Sequence, residues 1–206
     1  MIKQEIYPKT KRIVLHPVIT ITEKLDGSNL TFFKLDGTLF IAQRQTIFTL
    51  AEIDEMKNGL YQGLYGWLEE NGFNLQLNMN EHSAIGGEWI GMGKLKYDFD
   101  KRYFMFAKAN IDGEMKLHNI LYDHELFKYS FVNEIIPNFI GEVPIVTTIT
   151  DYSCLSVQQL DVLYDSYCLE KKRNVEGFVV SFNGQVSKYV RMKNGKLADH
   201  FDRENL

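Results

Sequence analysis

Cysteine is nearly absent from this 206-residue chain: only Cys154 and Cys168 occur, both in apolar or helical contexts. A disulfide framework or a thiolate zinc site is therefore not expected. Long apolar runs are missing too. None approaches the roughly 18 residues that cross a bilayer, and Met1-Ile-Lys-Gln-Glu5 carries no apolar stretch of the signal-peptide kind. The expectation is a cytoplasmic protein with no membrane association. Positive charge is also short, with 23 Lys and Arg against 27 Asp and Glu and a formal net charge of -4. Broad, nonspecific nucleic-acid binders are usually basic, so that class is disfavoured. The shortage is uneven, because Lys188, Arg191, Lys193 and Lys196 fall together with no acid between them. A locally basic groove is compatible with that distribution.

Several familiar catalytic templates are missing as well. Gly86-Gly-Glu-Trp-Ile-Gly-Met-Gly-Lys94 looks like a phosphate-binding loop, but its spacing is wrong and Leu95 stands where Ser or Thr is required. The five histidines, His16, His82, His118, His124 and His200, have no zinc-ligand spacing. No G-x-S-x-G elbow occurs. P-loop NTPases, zinc enzymes and serine hydrolases are set aside. There is no internal repeat, low-complexity tract or linker, so one domain over residues 1–206 is expected.

What the chain does have is aromatic residues, 14 Phe and 11 Tyr, which suit sheet-rich cores. Val18–Glu23, Leu30–Lys34 and Thr38–Gln43 read as strands, the last two joined by an Asp36-Gly37 hairpin turn. Leu60, Leu64, Trp67 and Leu68 recur at helical spacing, with Gly72 expected to stop that helix. Ser83–Trp89 and Arg102–Ile111 are expected strands, Leu117–Tyr129 a helix, and Val143–Ile149 a short strand. Ser156-x-x-Gln159 is a capping box that opens a helix to about Glu170. Glu176–Phe182, an Asn183-Gly184 turn and Gln185–Lys193 make a closing hairpin. Hairpins dominate, which predicts an α+β fold with antiparallel sheets flanked by helices.

The polar residues of interest stand at strand ends. Lys24 leads from a β-branched run into Asp26-Gly27, Glu88 ends an apolar run, and Glu176 precedes Phe178-Val-Val180. Strand alternation would place Arg191 and Lys193 on one face. Singly, each has an ordinary structural explanation. In order, Lys24-x-Asp26-Gly27, Arg44, Gly87-Glu88-Trp89, Tyr103-Phe-Met-Phe106, Glu176-Gly177-Phe-Val-Val and Arg191-Met-Lys193 resemble the motif series of the covalent nucleotidyltransferases. That superfamily comprises ATP-dependent DNA and RNA ligases and mRNA capping enzymes. Glu23-Lys-Leu-Asp-Gly-Ser-Asn29 is most similar to the RNA ligases, especially the nick-sealing phage type.

The resemblance implies a nucleotidyltransferase (ATP-grasp-like) fold and a set of roles. Lys24 would attack the α-phosphate of ATP and carry AMP covalently. Asp26 and Gly27 would shape its turn, and Asn29 would stand near the reacting phosphates. Glu23 belongs to the same nucleotide-binding motif, and Arg44 would contact nucleotide phosphate or the nucleic-acid end. Glu88 would accept hydrogen bonds from the ribose, and Phe106 would stack on adenine. Glu176 would bind Mg²⁺ or Mn²⁺, with Arg191 and Lys193 on the α-phosphate. Two positions depart from the family pattern. Ala107 and Lys108 follow Phe106 where Asp is usual, which leaves Phe104 as an alternative stacking residue. Arg191 replaces a lysine, which leaves Lys188 as an alternative in a shifted register.

The chemistry suits these residue types. A free lysine has a pKa near ~10.4, so partial burial and nearby cations are needed to expose its lone pair at neutral pH. The same cations stabilise charge on the phosphoryl oxygens as the in-line transition state develops. The implied substrate is RNA with a 5′-phosphate and a 3′-hydroxyl, nicked or paired. Only thirteen residues follow Lys193, so no C-terminal OB-fold domain is expected. A minimal ligase and one that needs a partner protein both fit that length. The alternatives are a DNA ligase-like enzyme and a nucleotide- or RNA-end-binding module that does not ligate.

Overall fold

A computed structural model describes residues 18–44, 46–150, 155–182, 184–193 and 196–197 of the chain. The expectations on His16, Cys154, Asn183 and His200, and on the Lys193 side chain, lie outside the described residues. The β-branched alternation after Val18 becomes strand β1 (Ile19–Lys24). Next come β2 (Gly27–Leu35), β3 (Thr38–Gln43), β4 (Thr46–Thr49), a short helix α1 (Ile53–Met56) and the longer α2 (Leu64–Asn78). Strands β5 (Ser83–Ile90), β6 (Tyr103–Ile111), β7 (Leu117–Leu121), β8 (Ile140–Glu142) and β9 (Ile145–Ile149) lead to helix α3 (Val157–Lys171). The chain closes with β10 (Gly177–Phe182), β11 (Gln185–Val190), β12 (Met192–Lys193) and β13 (Lys196–Leu197).

Two sheets form. The larger runs β4-β3-β2-β5-β6-β7 with antiparallel neighbours, and β8 adds to β6 in parallel. The smaller is antiparallel throughout, in the order β11-β10-β1-β9. The α+β architecture with antiparallel sheets and flanking helices is as expected. Each sheet has its own helix. Leu64, Leu68 and Leu75 of α2 are buried with Phe32, Ile41 and Tyr103, and Trp67 stacks on Phe32 at 5.6 Å. Leu160, Tyr164 and Tyr167 of α3 cover Ile21, Phe178 and Tyr189. Each fully buried side chain of this size contributes about 1.5–3 kcal/mol. No helix of the described residues is long and apolar enough to cross a membrane.

Local signals behave as their chemistry demands. Asp36 and Gly37 both take positive φ, 49° and 72°, as a tight hairpin with right-handed twist requires. The α3 capping box is complete: Gln159 N donates to Ser156 Oγ, and Ser156 N donates to Gln159 Oε1. Two expectations are corrected. Gly72 does not stop α2, which continues to Asn78. A Cβ there would lie 2.6 Å from Leu50 Cδ2, so the glycine is a packing contact inside the helix. Residues 117–129 do not form one helix. Leu117–Leu121 pairs with the open edge of β6, with Asn119 at φ 53°, and 3-10 turns follow over His124–Ser130. Edge pairing overrides the local helical preference.

Candidate active site

The chain passes from one sheet to the other twice, and the two crossings floor a cleft of about 410 Å³. In the first, β1 ends at Lys24 beside Gly177, and β2 begins at Gly27 beside Ile90. In the second, β8 leaves the flank of β6 and becomes β9 against β1. Val143 N donates to Met105 O at 3.0 Å on one side, and Glu23 N donates to Pro144 O at 2.9 Å on the other.

Strand alternation decides which side chains enter the cleft. On the small sheet, Thr22 pairs with Val179, Val179 with Lys188, and Ser181 with Val186. All of these line the cleft together with Lys24. One residue out of phase, Glu23 falls on the α3 face, and its side chain has no exposed surface. Its carboxylate accepts hydrogen bonds from both Arg173 terminal nitrogens at 2.7 Å and from Tyr167 Oη at 2.9 Å. The structure therefore puts the Glu23 backbone along the cleft and keeps its carboxylate out of it. A buried carboxylate so paired fixes the end of β1, and with it the lysine.

Lys24 Nζ donates to Glu176 Oε2 at 2.6 Å, joining residues 152 positions apart. Glu88 stands close to both. Its carboxyl is pushed up to about 7, chiefly by burial, with Lys24 opposing and Glu176 reinforcing the rise. Burial also raises the Glu176 carboxyl, against the pull of Lys24. One ammonium thus faces two carboxylates that are poorly solvated.

Asp26 and Gly27 work differently from a simple turn. The Asp26 carboxylate accepts from Lys94 N at 2.6 Å and Leu95 N at 2.9 Å, while Asp26 N donates to Tyr97 Oη at 2.6 Å. The glycine-rich segment that mimicked a P-loop is therefore a strap buckled to the lysine motif. Gly93 lies flush there, since a Cβ would sit 2.1 Å from Asp26 O. Arg173 anchors the far end of the strap, its guanidinium 4.9 Å from the Tyr97 ring and 5.4 Å from that of Phe99. Gly27 is the first residue of β2, where a Cβ would lie 2.4 Å from Trp89 O. Close strand approach, not turn formation, excludes a side chain.

The other expected residues divide. Phe106 lines the cleft, whereas Phe104 is buried and packs on Phe99 at 4.7 Å. Asn29 is exposed and pairs across strands with Glu88. Arg44 is exposed beside Tyr61 and is not among the residues lining the cleft. Of the two basic registers, Lys188 lines the cleft. Arg191 instead reaches Asp161 at 3.0 Å and lies over the Tyr164 ring. The cause is a break in alternation: β11 ends at Val190, and Arg191 N and Met192 N both donate to Glu176 O. Lys193 closes β12, paired with Lys196. Sequence reasoning missed Thr22, Val179, Tyr122, His124 and Val143 in the cleft wall. Counting by twos from Lys24 would have found Thr22, but no local pattern marks Tyr122 or His124.

A model of the RNA ligase family matches residues 17–193. The chain belongs to that family. Among solved structures, it is similar to a Naegleria gruberi RNA ligase variant with ATP and Mn, at 20% identity and TM-score 0.51. That match covers 85% of this chain and 50% of the other. It is also similar to another variant of the same ligase in the apo form, at 20% identity and TM-score 0.49, covering 91% and 52%. A third similarity is to an Aquifex aeolicus protein assigned as an ATP-dependent DNA ligase, at 17% identity and TM-score 0.45, covering 89% and 49%. The chain spans about half the length of these structures, and the first of them shows that it has a ligase nucleotidyltransferase fold. No curated protein matches the sequence significantly.

Among the described residues, no group of three or more His, Cys, Asp or Glu could by itself hold a metal ion. The residues present fit a different arrangement. Magnesium and manganese take oxygen ligands, and magnesium is commonly bound by one or two carboxylates together with substrate phosphates. Glu176 and Glu88 supply such oxygens, and burial, which raises the proton affinity of both, leaves them poorly solvated beside the Lys24 ammonium.

Proposed function

We propose that this RNA ligase family member joins RNA ends through a covalent lysyl-AMP. The observation that supports this most directly is the placement of Lys24. Its amine stands in a nucleotide-sized cleft, 2.6 Å from Glu176 and flanked by Glu88. The Nζ lone pair attacks the α-phosphorus of ATP, the bond to the bridging oxygen breaks, and pyrophosphate leaves. For that, the ammonium must lose a proton. Glu176 Oε2 is its hydrogen-bonded acceptor, and burial raises the affinity of Glu176 for the proton. Glu176, with Glu88 nearby, would hold a divalent cation, which would supply positive charge favouring the neutral amine and balancing the phosphate oxygens. Lys188 contributes fixed positive charge from the small sheet. Phe106 provides an aromatic wall for the base, and Glu88 is placed to receive the ribose hydroxyls.

AMP then passes from Nζ to the oxygen of an RNA 5′-phosphate, restoring the lysine. Attack by a 3′-hydroxyl on the activated phosphorus forms the phosphodiester and releases AMP. Both later steps are substitutions at phosphorus, so positioning provides much of the rate.

The test is incubation with ATP and Mg²⁺ followed by intact-protein mass spectrometry. The expected result is a mass gain of one AMP that is absent from Lys24→Ala. No adduct, from protein free of bound AMP, would overturn the proposal. Parallel sealing assays on nicked RNA, nicked DNA and single strands then assign the substrate. Sealing confined to DNA would replace the RNA reading with the DNA ligase alternative.

A further inference from the structure

The cleft has an end that the phosphate chemistry does not use. Besides Lys24 and the small-sheet residues, its wall includes Phe106, Tyr122, His124 and Val143, the last at the second crossing between the sheets. His124 is, besides Tyr122, the polar residue there. Its side chain is 14% exposed, and its ring stacks on Phe127 at 4.8 Å, which fixes the ring plane. Nδ1 lies 3.5 Å from Glu142 Oε1, the carboxylate that immediately precedes Val143. Nε2 has no hydrogen-bond partner among the described residues, so it is the ring nitrogen left for a ligand.

We propose that His124, its tautomer set by Glu142, reads the base edge of the nucleotide and selects adenine over guanine. This rests on the lysyl-AMP reading above and specifies its substrate. A carboxylate beside Nδ1 favours the tautomer with the proton on Nδ1, so Nε2 presents a lone pair. An acceptor at that place pairs with the exocyclic amino group of adenine. Guanine carries a carbonyl oxygen at the corresponding position, and two facing lone pairs in a partly dry cleft repel each other. The surrounding wall is apolar, so a base that leaves the imidazole unmatched gains little from water. Sites that hydrogen-bond a substrate NH reject analogues lacking it far better than sites that sense shape alone. Phe106 is indifferent to base identity because every base has a π-face. Selectivity must therefore come from an edge-reading polar group, and His124 is a suitably placed one.

The experiment measures rates of covalent self-nucleotidylation with ATP, GTP and purine riboside triphosphate, the last lacking the exocyclic amino group. Wild type is expected to prefer ATP over purine riboside triphosphate by about two- to tenfold, the factor that one hydrogen bond of ordinary strength supplies, and over GTP by more, because the facing lone pairs add repulsion. His124→Ala should label with all three at similar rates, its loss confined to ATP. His124→Gln, which retains an acceptor oxygen, should recover part of the preference. Glu142→Gln should lower the ATP:GTP ratio, because the charge that holds the proton on Nδ1 is gone. A general structural defect would slow all three nucleotides equally and leave their ratios intact. An unchanged ATP:GTP ratio in His124→Ala would overturn the assignment while leaving the lysyl-AMP chemistry standing. Absence of any adduct in wild type would remove both.

Discussion

Replacing Arg173 by Met tests whether the lysine is positioned from behind its own strand. Arg173 gives two 2.7 Å hydrogen bonds to Glu23, whose side chain has no exposed surface. The substitution leaves that carboxylate buried with Tyr167 Oη as its remaining donor. A hydrogen bond to a charged group is worth about 1.5–3 kcal/mol, and breaking a buried pair from one side costs about 3–5 kcal/mol. The side chain of Arg173 is 20% exposed, which favours the lower part of that range. Loss of the guanidinium from the Tyr97 and Phe99 rings adds about 0.5–1 kcal/mol, partly offset by methionine packing. Domains are stable by about 5–15 kcal/mol, so the loss is a large share of the total. With a urea slope of about 2–3 kcal/mol per molar, the unfolding midpoint should fall by about 1–2 M. The double variant Glu23→Gln/Arg173→Met carries no buried charge and should regain much of that stability. Urea titration followed by circular dichroism reads both values. A midpoint for Arg173→Met within about 0.3 M of wild type would refute the reasoning, given that slope. So would a double variant no more stable than the single one.

Three further outcomes follow from the site. Glu88 has its carboxyl raised to about 7, so the folded protein holds its proton more tightly than the unfolded chain does. Its contribution is then most favourable at low pH and is lost as pH rises towards and through 7. Glu88→Gln should accordingly be more stable than wild type at pH 8, with the gap closing by pH 5, and urea midpoints at both pH values check this. Gly27→Ala brings a methyl to 2.4 Å from Trp89 O and should destabilise by about 1–3 kcal/mol through strand separation, measured as a fall in thermal midpoint. Asp26→Ala frees Lys94 N and Leu95 N from their acceptor, at a cost of about 1–3 kcal/mol. Limited proteolysis should then cut first within residues 91–99, and an unchanged cleavage pattern would mean that other contacts hold the strap.

The sequence by itself determined what depends on neighbouring residues. Alternation in Ile19–Lys24 separates Glu23 from Lys24 onto opposite faces, because successive side chains in a strand point opposite ways. The Asp36-Gly37 turn and the Ser156 cap were equally legible, since each is satisfied within four residues. The order of Lys24, Glu88, Phe106 and Glu176 carried the family resemblance, and the fold brings these four together at one cleft.

Tertiary structure decided the rest. Arg191 was the first candidate and Lys188 the shifted-register alternative. Two backbone donors converging on Glu176 O break the alternation after Val190, which leaves Lys188 lining the cleft and turns Arg191 towards Asp161. Gly72 read as a stop until Leu50 filled the space its missing side chain leaves. His124 stood in an expected helix until residues 117–121 paired with β6 and left it in the cleft wall. For Arg191 and Gly72 the deciding contact joins separate elements, and for His124 it is a hairpin pairing with β6. In each case its free energy enters only when both segments are folded against each other. Local propensity is worth tenths of a kilocalorie per residue, whereas a strand pairing or a filled core gap is worth several times that.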